Sequence, residues 1–107
     1  MRKKDTYIVV YSTFPDIKTT KKIINGLITH KLAACGNIFK LNSMYTWKGT
    51  IEQNQEYGVL IKTKKKNYKR VETFIKKHHP YDVPEIVCWS IDKGLSSYLQ
   101  WIAEETS

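Results

Sequence analysis

An α+β sandwich, one four-stranded antiparallel sheet covered by two helices, is the fold class predicted for this 107-residue chain. Three observations predict it. β-branched and aromatic runs alternate with stretches of helical period in the order strand, helix, strand, strand, helix, strand. The two middle strands are joined by Lys48-Gly49-Thr50, a hairpin signal. The length suits one hydrophobic core, since domains usually hold about 100 to 150 residues. Residues 1–107 are therefore read as a single domain, with 1–5 a flexible basic N-terminus.

Tyr7 to Tyr11 is the first strand. Phe14-Pro15-Asp16 then starts a helix, because proline presets φ for the first turn and an early carboxylate complements the helix dipole. Ile17, Ile23, Ile24, Leu27, Ile28 and Leu32 keep helical spacing over about 16 residues. Residues 33–47 and 51–63, rich in Tyr, Ile, Val, Thr and Trp, are strands two and three. Tyr68, Val71, Phe74, Ile75 and His78 share one face of a second helix, which His79-Pro80 ends. Pro84 to Ile91 is strand four. Tyr98, Leu99, Trp101 and Ile102 mark an extra C-terminal helix.

This is the split βαβ, ferredoxin-like order, whose sheet runs 4-1-3-2. Cys35 and Cys88 fall on opposite edge strands and should not bond; both are expected to be buried thiols. A first helix of about 24 Å cannot cover a second strand of about 50 Å. Half of the hairpin must overhang, with Met44, Tyr45 and Trp47 on it. Pairing with copies of the same chain, in a ring, is the expected remedy.

Composition narrows the function classes. Hydrophobic residues are 41% and charged residues 26%, as in an ordinary folded domain rather than a disordered tail. Apolar runs of four or five residues fall far below the roughly 20 of a membrane-spanning helix, so no membrane partner is expected. The basic start lacks a small-residue cleavage site, and the cysteines lack a Cys-x-x-Cys spacing, so a cytoplasmic location is expected. A net charge of +8, with a run through Lys62, Lys64, Lys65, Lys66, Lys69 and Arg70, raises nucleic acid as a partner. A solvated face with weak, nonspecific attraction to polyanions is the expected meaning, with no specific nucleic acid.

The densest chemistry lies in His78-His79-Pro80-Tyr81-Asp82-Val83-Pro84-Glu85. The topology brings it towards Ser12, Thr13 and Phe14 at the end of strand one. Neutral imidazoles suit Cu(II), Zn(II) and Ni(II). The competing reading packs a helix-end His78 on the core and leaves His79 solvated. No Gly-x-Ser-x-Gly, His-Glu-x-x-His or phosphate-cradling glycine loop is present, and Cys35 with His30 lacks an orienting third group. No enzyme is expected. Tyr45, Trp47, Tyr57 and Lys62 interleave rings with a cation along the hairpin, a pattern for subunit contact or for stacking a ligand.

Leu32-Ala33-Ala34-Cys35-Gly36-Asn37-Ile38, Ser43-x-Tyr45-x-Trp47-x-Gly49-x-Ile51 with Glu56 and Ile61-Lys62-Thr63, then His79-Pro80-Tyr81-x-Val83-Pro84-Glu85 and Tyr98-Leu99-x-Trp101-Ile102, resemble the CutA divalent-cation tolerance proteins. The likeness runs from Tyr7 to Ile102. It implies a tight homotrimer knitted by long hairpins and terminal helices, a link to Cu2+ or another divalent cation, and no organic cofactor. It also implies intersubunit clefts similar to those of PII signalling trimers. The copper site of similar bacterial proteins uses two adjacent histidines, here His78 and His79, and a cysteine whose position is taken by Ser12. Tyr45, Trp47, Lys62, Tyr81 and Glu85 match the cleft. Two functions are therefore expected: a copper-binding tolerance protein without turnover, or a PII-like trimer holding a small anion with Lys62 as its charge partner.

Overall fold

In a computed structural model describing residues 5–107, the chain forms β1 (Tyr7–Phe14), α1 (Ile17–Thr29), β2 (Cys35–Trp47) and β3 (Thr50–Lys64). A 3-10 turn, Lys65–Asn67, leads into α2 (Tyr68–His78), followed by β4 (Ile86–Ser90) and α3 (Ser96–Glu105). The basic N-terminus expected over 1–5 lies, apart from Asp5, outside the described residues. The sheet order is β2-β3-β1-β4 with every neighbour antiparallel, the order expected from sequence.

Local chemistry sets the helix ends. Asp16 stands in extended backbone before α1 and its Oδ1 accepts from the Thr19 N–H at 2.7 Å, a side-chain N-cap. α1 stops three residues short of the periodic Leu32. Lys31 turns left-handed at φ 57°, and the Leu32 N–H bonds back to the Leu27 carbonyl at 2.9 Å. Lys48 and Gly49, at φ 51° and 80°, make the two-residue type I′ turn that matches the twist of a hairpin.

One core binds the layers. Ile8, Val10 and Phe14 of β1 and Val59 and Ile61 of β3 meet Ile23, Ile24 and Leu27 of α1 and Val71 and Ile75 of α2. Both long helices thus cover one sheet face. Gly36 turns to that face, where a Cβ would lie 3.1 Å from both Ile24 Cγ2 and Val59 Cγ1. Its alternation partner Cys35 therefore turns to the other face, where its Sγ lies 3.5 Å from the Tyr98 hydroxyl of α3. On that second face Tyr11 lies between Phe39, stacked on it, and Trp89, tilted against it, each at 6.3 Å between centroids.

β1 pairs with Tyr57 to Lys64 of β3 and no further. From Leu41–Glu56 to Trp47–Thr50 the hairpin has only itself to pair with, an overhang of about 24 Å. Met44 and Ile51 are 67% and 69% exposed on it, and the molecule extends over 53 × 26 × 21 Å. The expectation of two buried thiols is corrected. Both cysteines are free as foreseen, but Cys35 is only half-buried and Cys88 is exposed, because β4 is an edge strand.

The close approach at Gly36 makes a prediction. Gly36→Val forces a branched side chain between α1 and the sheet, and should cost about 1–3 kcal/mol of stability in chemical denaturation.

Candidate functional site

The site grows from the end of α2. His79 precedes Pro80 and so leaves the helix in extended backbone, φ −77° and ψ 135°. That turn drops its ring onto Phe14, stacked at 4.7 Å between centroids. The Tyr81 N–H can only donate, and it reaches His79 Nδ1 at 3.1 Å. The proton therefore sits on Nε2, which donates to the Thr13 carbonyl at 2.8 Å. Both ring nitrogens are engaged. Burial pushes the His79 pKa below its ordinary 6.5, opposed by the Thr13 bond and the Glu56 charge.

The same loop turns Tyr81 under the hairpin, and its hydroxyl donates to Glu56 Oε2 at 2.7 Å. Burial, then this bond to a carboxylate, drives the phenol far above its ordinary pKa. Ser12, fully buried, donates to the Glu85 carbonyl at 2.7 Å and so ties β1 to the chain entering β4. Between this loop and the overhang opens a cleft of about 710 Å³, walled by Tyr45, Trp47 and Tyr81, with Glu56 at its floor and Asp82 and Glu85 beside them. The Asn54 amide donates to the Tyr45 hydroxyl across the hairpin.

His78 is elsewhere. It is exposed, its ring tilts over Phe74 at 4.4 Å, and its Nδ1 donates to the Phe74 carbonyl at 2.8 Å. The packed and solvated roles are thus the reverse of the competing sequence reading. With His30, Lys69, Arg70 and Lys77 it borders a second, basic hollow of about 660 Å³ between the ends of α1 and α2. Within one subunit a divalent ion would find Nε2 of His78 free, His79 used at both nitrogens, and the Ser12 hydroxyl committed to Glu85. These residues do not fit a complete ion site in a single subunit. Among the described residues, no three His, Cys, Asp or Glu side chains stand together as a ligand set.

Four of the five expected cleft residues come together: Tyr45, Trp47, Tyr81 and Glu85. Lys62 does not join them. It bonds Asn37 on the second sheet face, six positions along β3 from Glu56, or about 20 Å. Glu56 and Asp82 were missed as site residues. The signal for Glu56 was a carboxylate placed where β3 leaves the overhang and enters the sheet.

The family model for CutA1 divalent ion tolerance protein matches residues 8–105. The divalent-cation tolerance protein CutA of Pyrococcus horikoshii is 38% identical over 99 residues, covering 92% of this chain and 97% of that protein. A chloroplastic CutA of Arabidopsis thaliana is 36% identical over 100 residues, 92% of this chain and 55% of its own length. The structure of a periplasmic CutA from Archaeoglobus fulgidus superposes with a TM-score of 0.91 at 34% identity, covering 92% of this chain and 97% of that one. The expected cytoplasmic location is corrected by these findings. The matching residues are shared by a plastid and a periplasmic protein, so the charge and cysteine pattern of this domain does not assign a compartment.

The buried His79 sets a pH dependence. Its folded pKa lies below the unfolded value, so the unfolded chain binds more protons below about pH 6.5. Stability should be fully present above that pH and fall as pH drops through it. Melting curves from pH 8 to 5 should show the decline, flattened in His79→Gln.

Proposed function

Because the chain belongs to the CutA1 divalent ion tolerance family, we propose that it binds divalent cations, Cu(II) foremost, as a homotrimer and without turnover. The observation that carries this reading is the overhang, with Met44 and Ile51 about two-thirds exposed on it. Apolar side chains on a paired ribbon that no helix covers are costly in water. A ribbon reaching a different surface on the next copy makes a head-to-tail contact, and such contacts form a ring when the rotation between copies closes. A ring of three is the assembly that the sequence resemblance implies. The part-exposed cluster of Tyr11, Phe39 and Trp89 on the second sheet face, which α3 covers only in part, supplies a surface to receive it.

In this reading the ion is held at a seam, with ligands from more than one subunit. His78 brings the free Nε2, and its Nδ1–H bond to a backbone carbonyl orients the ring as outer-shell partners orient metal-binding imidazoles. Cu(II) leads the divalent series for nitrogen donors. His79 serves the site by holding the 79–85 loop.

Two measurements test the reading. Light scattering should give three times the 12.5 kDa of the chain, and Ile51→Lys should lower that mass; a well-folded monomer at micromolar concentration ends the trimer. Calorimetry should show Cu(II) binding that His78→Ala removes and His79→Ala retains at unchanged stoichiometry. Equal binding by His78→Ala and the wild type eliminates that ligand.

A further inference from the structure

The aromatic and acidic cleft carries a charge pattern that neither copper nor a small anion explains. Glu56 at its floor is 4% exposed, one oxygen accepts from the Tyr81 hydroxyl, and among the described residues no Lys or Arg lines the cleft, the nearest cation on its walls being Lys48, whose Nζ stands 5.9 Å from the centroid of the Trp47 ring. A buried carboxylate whose hydrogen-bond partner is a phenol, and which makes no ion pair among the described residues, lacks the counter-charge that offsets its desolvation. Asp82 and Glu85 add two more negative charges at the rim. Within one subunit these carboxylates repel an anion, and the same subunit's Lys62 stands about 20 Å away along β3. A hard divalent ion fares little better, because the carboxylates do not converge into a ligand set among the described residues.

The walls supply what the carboxylates alone do not. Tyr45 and Trp47 are 39% and 41% exposed, so both offer ring surface to an occupant. The electron-rich face of an aromatic ring attracts a diffuse organic cation, and such rings grouped beside carboxylates select ammonium and guanidinium groups. A volume of about 710 Å³ is that of a small-molecule site.

We infer that this cleft binds a small organic cation, an alkylammonium or guanidinium compound, with Glu56 as counter-charge and Tyr45 and Trp47 as walls. The inference names a ligand class for the cleft that the trimer reading places beside a seam, and it rests on that reading for the cleft's surroundings.

Calorimetry on the full-length protein tests it with choline, agmatine and, as an uncharged shape control, 3,3-dimethylbutan-1-ol, all at constant ionic strength. Saturable binding of choline or agmatine, but not of the alcohol, is expected. Glu56→Gln keeps an acceptor for Tyr81 and should preserve the melting temperature while weakening the cation about tenfold. Trp47→Leu should weaken it several-fold. Three results overturn the inference: no saturable binding of either cation at millimolar concentration, equal binding of the alcohol, or affinity unchanged in Glu56→Gln. Stoichiometric displacement by Mg2+ or Mn2+ also overturns it, assigning the cleft to a metal ion. Light scattering and a Cu(II) titration on the same samples read the trimer and the copper site separately, so failure of either is distinguishable from failure here.

Discussion

β1 has eight residues and β3 has fifteen, and that inequality governs the rest of the molecule. Backbone pairing forces the surplus of β3 to travel with β2 alone. Seven rungs of ribbon leave the sheet with polar edges satisfied only on one side and with aromatic and aliphatic side chains in water. A subunit of this shape has a core sufficient to hold its two layers together, yet its surface is incomplete. The cleft exists for the same reason, since its outer wall is the ribbon from Asn42 to Trp47 and its inner wall is the loop that follows α2.

That loop is held by a chain of short contacts. Thr13 accepts from His79, His79 accepts from Tyr81, and Tyr81 donates to Glu56, so β1, the end of α2 and β3 are tied through one imidazole and one phenol. The imidazole is neutral by environment, and its two nitrogens play opposite roles, donor and acceptor. Charging it would place two donors where the Tyr81 N–H needs an acceptor. His78, one residue earlier and still helical, has none of these ties. Adjacent residues at a helix end thus take unrelated roles, one anchoring backbone and the other presenting a nitrogen to solvent.

The fold was legible because periodicity and turn chemistry agree at every element. Gly49 at the hairpin, Pro80 after α2 and Asp16 before α1 each act within a few residues, and so can be read locally. The overhang followed from lengths alone. The site was legible only in part. Tyr45, Trp47, Tyr81 and Glu85 meet because the pairing of β2 with β3 and the loop after α2 bring them together. Lys62 shares their motif but sits at the end of β3 far from the overhang, and motif order carries no distance along a strand. Which histidine would be buried depended on the backbone turn before Pro80, and Cys88 was misplaced because strand membership does not tell how far an edge is covered.

Ser12 occupies the point where β1 meets the approach to β4, and its hydroxyl is spent on the Glu85 carbonyl. A hydroxyl there has no sulfur chemistry: it forms no mixed disulfide, climbs no oxidation ladder and takes no alkylating reagent. The joint between the first strand and the cleft rim is consequently indifferent to oxidants, and among the described residues the side chains open to oxidation are the free thiols Cys35 and Cys88 and the thioether of Met44, 67% exposed on the hairpin.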